Sequence, residues 1–405
     1  MPDVVTAGNK GEKVRSDCFV TLNLEKSGGI VVELKSKVAA LYGKDIEKTA
    51  RAVLIHFKIH HARLQIEDTG ALPFVIVARI EAAVRELTGT GESFILPLID
   101  ENMYPSSRDR FRFSRLYLPG NTPSMMLNAG LHKPDGIILD LEDSVAAVKK
   151  DEAQLLVRNA LCQVNFYGAE RMVRINQVPA GLDDLAYVVP FNVHLILIPK
   201  CESPEQISLI DREIGRLSKQ CGREAPVYLM PIIESALGVE QAFSIATASE
   251  NSVAMAIGLE DYTADIGTRR SQEGAESYYA RSRVVNACKA AGIQAIDSVF
   301  SDVGDIEALR ETIRVSKSLG FEGMGCIHPR QIRPIFEGYA PDNAEIEKAR
   351  VIAAAYMKAE EQGLSVVSLG SKMIDPPVVK RALKTIDLAV NLGLIEKNWR
   401  DDHVE

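Results

Sequence analysis

Polar residues follow directly after short apolar runs in the middle of the chain, and their types suit metal-assisted chemistry. One run ends in Glu234, and the next along the chain ends in Glu260 and Asp261. If these runs are neighbouring parallel strands, Glu234 and Asp261 lie close enough to share a hard divalent cation, with water in its remaining positions. The two carboxylates are therefore candidate ligands of Mg²⁺. The alternative is that each one only caps the helix after its strand.

A charged residue inside another run is the second candidate for a functional residue. Arg174 lies in the sequence Val-Arg-Ile-Asn, and its guanidinium is always charged. On a buried strand this charge is costly unless it meets an anion such as a carboxylate or a developing enolate. The alternative is a structural ion pair with Asp140 or Glu142, which end a different run. We expect Arg174 to act on the substrate.

Eight short apolar runs, separated by helical segments, provide the elements that would position these residues. The runs are Arg115–Leu118, Gly136–Leu141, Met172–Ile175, Leu195–Ile198, Val227–Ile233, Val253–Ile257, Ala295–Ser298 and Gly323–Ile327. Eight strand and helix units predict an α/β fold, a parallel (β/α)8 TIM barrel, whose reacting groups lie at the carboxyl ends of the strands. An open doubly wound sheet is the alternative. No glycine-rich nucleotide motif follows the first run, which disfavours it.

The remainder of the chain predicts a domain before the barrel and a helical extension after it. Cys18–Leu24 and Ile30–Leu34 alternate like half-buried strands, and Lys44–Phe57 has a helical pattern, which together indicate a small α+β domain. Asn343–Gln362 and Val378–Leu392 are predicted helices. We therefore expect a small domain over residues 1–90, a linker over 91–110, the barrel over 111–338 and a C-terminal helical extension over 339–405.

Composition excludes several classes of function. The 405 residues carry a net charge of -8, so the broad attraction of a basic protein to nucleic acid or anionic lipid is absent. No apolar run approaches the roughly 20 residues of a membrane span. The six cysteines form no C-x-x-C pair and are expected to be reduced core thiols of a cytoplasmic protein. The histidines lack zinc-ligand spacing and are expected to be packed or on the surface.

Ordered motifs connect the chain to a known family. They are Arg115–Gly120, Leu139–Ser144, Val173–Asn176, Leu197–Lys200, Ile233–Ser235, Gly258–Tyr262, Ile327–Arg330 and Lys372–Asp375. With these motifs the chain, from Phe111 to Val390, resembles the citrate lyase beta subunit and its HpcH/HpaI aldolase superfamily. The resemblance implies the same (β/α)8 barrel. It also implies a reverse Claisen cleavage of a 3-hydroxyacyl thioester into an acetyl-type thioester and a 2-oxo acid.

The resemblance assigns roles to individual residues. Glu234 and Asp261 match the Mg²⁺ ligands, and Arg174 matches the arginine that stabilises the thioester enolate. Asp375 matches an acid/base carboxylate that a neighbouring subunit delivers over the barrel mouth, which implies a homo-oligomer, a trimer or hexamer. Glu142 resembles a group that holds metal-bound water. The substrate-binding residues implied are Arg115, Arg174, Gly258, Leu259 and Glu260.

The first domain has a resemblance of its own. Through Asp17–Thr21, Tyr42–Ile46, Glu67–Leu72 and Ala78–Ala82 it is similar to the citrate lyase gamma subunit, an acyl carrier protein. In that family a serine bears a phosphoribosyl-dephospho-CoA arm, but the matching position here is Arg15, with Ser16 beside it. Either Ser16 takes the arm in a shifted register or the domain is an unloaded relic, and we favour the second.

Two further positions depart from the pattern of relatives. After Pro119-Gly120, CoA-using relatives have a basic residue, whereas Asn121–Met126 contains none, as expected of the branch that uses a carrier protein. Met324 stands where the beta subunit tends to have lysine, which affects the substrate end of the site.

These observations predict a Mg²⁺-dependent carbon-carbon lyase that cleaves a citryl-type thioester on CoA or on an acyl carrier into an acetyl thioester and a 2-oxo acid such as oxaloacetate. Citramalyl-CoA or malyl-CoA lyase activity is the alternative within the family. A non-catalytic carrier or scaffold subunit is the alternative of another class, and an aldolase acting on a free 2-oxo acid is a third. A citrate lyase alpha-type subunit is a possible partner.

Overall fold

The computed structural model describes residues 4–271, 273–361, 367–369 and 372–399. These residues form two compact units. The first contains the residues up to 305 together with 318–332, and the second contains 306–317 and the residues from 333 onward. The small domain and the eight barrel strands all lie in the first unit.

The small domain is a four-stranded sheet with two helices. Its elements are β1 (Val4–Gly8), β2 (Cys18–Leu24), β3 (Ile30–Ser36), α1 (Ala39–His56), β4 (Ala62–Asp68) and α2 (Pro73–Thr88). The sheet order is β1-β2-β4-β3, with β3 parallel to β4 and the other pairs antiparallel. The predicted α+β class is therefore confirmed, whereas β1 was not predicted. Helix α2 starts at a proline and ends before Gly89, whose left-handed conformation (φ 69°) terminates it.

Eight parallel strands form the barrel. They are β5 (Ser114–Pro119), β6 (Gly136–Asp140), β7 (Glu170–Arg174), β8 (Leu195–Ile198), β9 (Tyr228–Ile233), β10 (Ala254–Ile257), β11 (Gln294–Ile296) and β12 (Met324–Cys326). The order is β11-β10-β9-β8-β7-β6-β5-β12. A parallel bridge between Asp297 and Met324 joins the first and last strands of this order. Each strand overlaps one predicted run, so the barrel is confirmed and the open sheet is excluded.

Helices follow the barrel strands along the chain. They are α3 (Pro123–Met126), α4 (Lys150–Gln163), α5 (Gly181–Val188), α6 (Pro204–Cys221), α7 (Ala236–Ala246), α8 (Leu259–Asp265), α9 (Tyr278–Ala291) and α10 (Ile306–Leu319). Short 3-10 turns lie at Asp100–Asn102, Ala129–His132, Ala147–Lys149, Val189–Phe191, Ala275–Ser277 and Pro329–Gln331. The barrel interior is filled by apolar side chains that alternate along the strands, including Ile138, Met172 and Met230.

The second unit is mostly helical. It contains most of α10 and of α11 (Ile332–Tyr339), followed by α12 (Asn343–Glu361), the hairpin strands β13 (Val367–Leu369) and β14 (Lys372–Ile374), and α13 (Pro376–Asn391). Its core includes Ala353, Ile386 and Trp399. The two predicted helices are present, and the hairpin lies between them along the chain.

The cysteines are free thiols, and five of the six are buried. The sixth, Cys221, is exposed at the end of α6, so the expectation that all six lie in the core was wrong for this residue. Within the described ranges, no helix combines the length and the apolar character needed to cross a bilayer.

Candidate active site at the barrel mouth

A cavity of about 780 Å³ opens at the carboxyl ends of the barrel strands. Most of the predicted site residues line it: Arg115, Arg174, Glu234, Gly258, Leu259, Glu260 and Asp261. These residues come from β5, β7, β9 and the segment after β10, so barrel closure is what brings them together. Glu142 contacts this group, whereas Asp375 belongs to the second unit.

Arg174, the last residue of β7, is held by carboxylates that follow β6. Its Nε and Nη2 donate to the two oxygens of Asp140 at 2.6 and 2.8 Å, and Nη1 lies 2.9 Å from Glu142 Oε2. Burial alone would lower the pKa of Arg174, but the Asp140 carboxylate outweighs it and the pKa is raised. The ring of Tyr117 lies 5.4 Å from the guanidinium carbon. The structural ion pair is therefore present, and Arg174 is also one of the residues that line the cavity.

Glu234 is a buried carboxylate directly after β9. Its Oε2 accepts the main-chain N–H of Lys200 at 2.9 Å. The cap of helix α7 is Ser235, whose hydroxyl accepts the N–H of Gly238 at 3.1 Å. Asp261 lies in the first turn of α8, beyond its cap position. Neither carboxylate is therefore the N-cap of its helix.

The environment of Glu234 suits a divalent cation. Burial, with a further contribution from the Asp261 charge, raises the pKa of Glu234 to about 7. A Cβ at Gly258 would lie 2.5 Å from Glu234 Oε1, so glycine leaves room for this oxygen. Oxygen ligands of this kind fit Mg²⁺, which uses one or two carboxylates and takes its other ligands from substrate and water. Among the described residues, no group of three or more His, Cys, Asp or Glu side chains is arranged to hold a metal ion.

Lys200, after β8, places an ammonium group among the carboxylates. Its Nζ lies 3.3 Å from Glu142 Oε1, 3.7 Å from Asp143 Oδ1 and 3.8 Å from Asp261 Oδ1. Burial would lower the pKa of Lys200, but these carboxylates raise it. With Glu234, the cluster has four carboxylates and two cations, Lys200 and Arg174. The cluster therefore has an excess of negative charge that a bound divalent cation would compensate.

The predicted substrate-binding residues differ in the hydrogen bonds and ion pairs that they form. Arg115 is buried on β5, and its Nη1 donates to Met230 Sδ at 3.0 Å. The N–H of Leu259 donates to Ser298 Oγ at 3.1 Å. Glu260 pairs with Arg270 at 3.0 Å. All three residues of the segment Gly258–Glu260 line the cavity.

Asp375 has a structural partner of its own within the second unit. It is the N-cap of α13, and its Oδ1 accepts the N–H of Val378 at 3.2 Å. The side chain is half-buried.

Several cavity residues were not predicted as site residues. Asp297 and Ser298 follow β11, and the rule that identified Glu234 and Asp261 applies to them equally. His132 and His328 line the cavity, although both were expected to be packed or on the surface. Lys200 could be recognised as a polar residue after a strand, but the sequence does not indicate where its long side chain points.

Comparison with known protein families identifies both parts of the chain. Residues 114–329 match the family described as HpcH/HpaI aldolase/citrate lyase. Residues 7–87 match the ACP family described as malonate decarboxylase delta subunit (MdcD). The resemblance of the barrel to the aldolase superfamily and of the first domain to an acyl carrier protein is thereby confirmed.

Individual relatives agree with this result. The citrate lyase subunit beta of Haemophilus influenzae is 41% identical over 69% of this chain and 97% of its own length. The mitochondrial citramalyl-CoA lyase of Homo sapiens is 33% identical over 68% of this chain and 85% of its own. Among solved structures, CitE of Mycobacterium tuberculosis in complex with magnesium, acetoacetate and coenzyme A matches with a TM-score of 0.59 and 28% identity, covering 70% of this chain and 99% of that one.

Proposed function

The chain belongs to the HpcH/HpaI aldolase/citrate lyase family, and from this premise we propose that it is a Mg²⁺-dependent lyase that cleaves a citryl-type thioester into an acetyl thioester and oxaloacetate. The observation that carries the proposal is the meeting of Arg174, Glu234 and Asp261 around one cavity from three separate strand ends. A guanidinium can stabilise the enolate that forms in a reverse Claisen cleavage, and a carboxylate pair can hold a cation that binds the 2-oxo acid.

Each group would have a defined task. Glu234 and Asp261 would hold Mg²⁺, which when bound polarises the oxygens that end in the 2-oxo acid. Arg174 would face the thioester oxygen, where negative charge develops as the carbon-carbon bond breaks. Glu142 and Asp140 keep the guanidinium in place through the ion pairs described above. Glu142 would also orient water at the cation. Arg115 and the segment Gly258–Glu260 would bind the substrate.

Asp375 would accept the proton of the substrate hydroxyl as the bond breaks and would return a proton to the carbon of the enolate, which gives the acetyl thioester. We propose that a neighbouring subunit supplies it, and hence that the chain acts as a homo-oligomer, a trimer or hexamer. A citrate lyase alpha-type subunit is the proposed further partner.

Turnover assays test the proposed reaction. Purified protein is given citryl-, citramalyl- or malyl-CoA, and the 2-oxo acid released is identified by mass spectrometry. The proposal predicts oxaloacetate from citryl-CoA at the highest kcat/KM. Faster release of pyruvate from citramalyl-CoA would instead favour the alternative that the human relative represents. Absence of turnover with all three, together with stoichiometric binding of an acyl-transferase subunit, would favour the scaffold alternative.

The small domain bears on a separate question, which is whether CoA or a carrier protein holds the thioester. Arg15 donates to the carbonyls of Glu12 and Val14 in its own loop, at 3.2 and 3.3 Å. Ser16 follows in a left-handed conformation, with φ 55°. Because the attachment position is an arginine, we propose that the domain carries no phosphoribosyl-dephospho-CoA arm. The thioester then reaches the barrel on CoA or, as the lack of a basic residue in Asn121–Met126 favours, on a separate carrier protein.

We propose that the chain is organised as a small domain over 1–90, a linker over 91–110, the barrel over 111–338 and an extension over 339–405. The acyl carrier match over 7–87 and the aldolase match over 114–329 support this division. We also propose a cytoplasmic location, which the six free thiols favour.

Binding of Mg²⁺ is expected to depend on pH. Because the pKa of Glu234 is raised to about 7, a proton occupies this carboxylate below pH 7 and must leave when the cation binds. The apparent affinity for Mg²⁺ should therefore fall by about tenfold for each pH unit below 7 and level off above it. Calorimetric titrations between pH 5.5 and 8.5 measure this dependence. An affinity that is constant across the range would contradict the assignment of Glu234 as a ligand.

Mixed oligomers test the role of Asp375. If a neighbour supplies it, Asp375→Asn and Glu234→Gln chains are each inactive alone, but their mixture contains intact sites built from one subunit of each kind. Unfolding and refolding the two variants together should restore activity, to about a quarter of the wild-type rate per site for random pairing. A mixture that stays inactive, while each variant still assembles, would contradict delivery between subunits.

A further inference from the structure

Helix α2 of the small domain is buried on nearly every side. Its buried residues include the charged Arg79 and Glu81 as well as Phe74 and Ile80. One side packs on β1 and β2 of its own sheet, and another packs on α4 of the barrel. A helix that is buried all round needs partners on both sides, so the small domain is fixed to the barrel at this interface.

Arg79 joins the two parts through a buried ion-pair network. Its Nε and Nη2 donate to Asp17 of the small domain at 3.0 and 2.9 Å, and its Nη1 donates to Glu152 of α4 at 3.0 Å. The main-chain N–H of Gly8 donates to the same Glu152 oxygen at 2.7 Å. The Arg79 and Asp17 side chains are each 1% exposed.

The network reaches the first loop at the barrel mouth. The carbonyl of Asn121 accepts Arg79 Nη2 at 3.3 Å and Asn9 Nδ2 at 2.9 Å, and both donors belong to the small domain. Asn121 is the second residue of the segment between β5 and β6. This segment contributes five residues to the cavity wall: Ser124, Met125, Asn128, Ala129 and His132.

A second buried arginine crosses the same interface without touching this loop. Arg158 of α4 donates from Nη1 and Nη2 to Glu81 at 2.9 and 2.6 Å, and also to the carbonyl of Phe94. Its side chain is 2% exposed, which closely matches Arg79. Arg158 therefore attaches the small domain to the barrel without contacting the loop, whereas Arg79 contacts both the barrel helix and the loop.

We propose that Arg79 is a positioning residue of the active site: through the Asn121 carbonyl it fixes the first loop of the barrel mouth, so that the small domain is a permanent part of the thioester-binding wall. The kinetic part of this proposal rests on the proposed lyase function. The structural part, that the small domain orders the loop, stands independently of it.

The variants Arg79→Lys and Asn9→Ala test the proposal, and Arg158→Lys is the matched control. Lysine keeps the charge but lacks the planar fork, so Arg79→Lys cannot hold Asp17, Glu152 and Asn121 together. Asn9→Ala removes the other donor to Asn121 from a half-buried position, together with the Asn9 hydrogen bond to Asp17 at 2.9 Å, and retains Arg79. Both variants should raise the KM for the acyl-CoA, by about tenfold and threefold respectively, with kcat changed less than about twofold. Arg158→Lys should leave the KM unchanged.

Hydrogen exchange without substrate provides the independent measurement. In the loop, the amides of Met125, Leu127 and Leu131 are hydrogen-bonded locally and report its order. Their exchange should be faster in Arg79→Lys and Asn9→Ala than in wild type, but not in Arg158→Lys. Equal exchange in Arg79→Lys and Arg158→Lys would overturn the proposal, as would a raised exchange without a raised KM in an active enzyme. If the wild type has no lyase activity, the proposed function fails and the exchange result alone decides whether the domain orders the loop.

Discussion

Glu234→Gln is expected to lower Mg²⁺-dependent turnover by about 10³-fold or more, because the amide has no charge with which to hold the cation and its Lewis-acid contribution is worth several kcal/mol. The fold should be retained, since glutamine has the same shape and can still accept the N–H of Lys200. Steady-state kinetics over a Mg²⁺ series, with a thermal melt of the same preparation, measure both effects.

The same substitution should not destabilise the metal-free protein. A pKa raised to about 7 means that folding disfavours the charged form of Glu234 above its ordinary pKa of 4.5. Replacing it with a neutral group removes this cost, so the Tm of Glu234→Gln at pH 8 should equal or exceed that of wild type. Glu202→Gln is the control, because Glu202 accepts the neighbouring Ser235 hydroxyl at 2.6 Å but does not line the cavity. Full activity in Glu234→Gln would contradict its role as a ligand.

Arg174→Lys is expected to lower kcat by about 10² to 10³-fold, the usual cost of removing one donor that stabilises an oxyanion. Lysine retains a positive charge but cannot bind both oxygens of Asp140 and face the substrate at the same time. Because the loss falls on the transition state, kcat and kcat/KM should decrease together with little change in KM. Pre-steady-state and steady-state kinetics on the same thioester measure this.

A buried arginine at the opposite end of the barrel is the control for this prediction. Arg112 forms a two-point ion pair with Glu170, at 2.7 and 2.8 Å, and Glu170 is the first residue of β7 whereas Arg174 is the last. Arg112→Lys should lower stability but leave kcat nearly unchanged. If the two variants lose activity equally, Arg174 acts through stability alone and its assignment to the enolate is wrong.

The barrel and much of the site could be predicted from the sequence because strand ends in a closed barrel converge. Each apolar run was short and bounded by polar residues, so Glu234 and Asp261 had to lie at one edge. The same rule covered Asp297, which was overlooked. Lys200 was different: its Nζ reaches three carboxylates from separate segments, and the direction of a long flexible side chain is decided by these neighbours.

The position of the small domain on the barrel could not be predicted from the sequence either. Helix α2 has apolar residues on nearly all faces, which indicates complete burial but does not identify what covers it. Its partner α4 begins 62 residues after the end of α2. The sequence indicates only that α4 is part of the barrel. The Arg79 network depends on this contact. Likewise, Asp375 could be matched to a motif, but its proposed action depends on a second copy of the chain.

The metal dependence of turnover tests the central claim most directly. Acetyl-CoA and oxaloacetate released from citryl-CoA are measured with Mg²⁺, after removal of the metal with EDTA, and after Mg²⁺ is restored. We predict turnover that EDTA abolishes and that added Mg²⁺ restores in the wild type, whereas Glu234→Gln regains no turnover at the same Mg²⁺ concentration. Turnover that persists in EDTA, or that Glu234→Gln shares with wild type, would contradict this prediction.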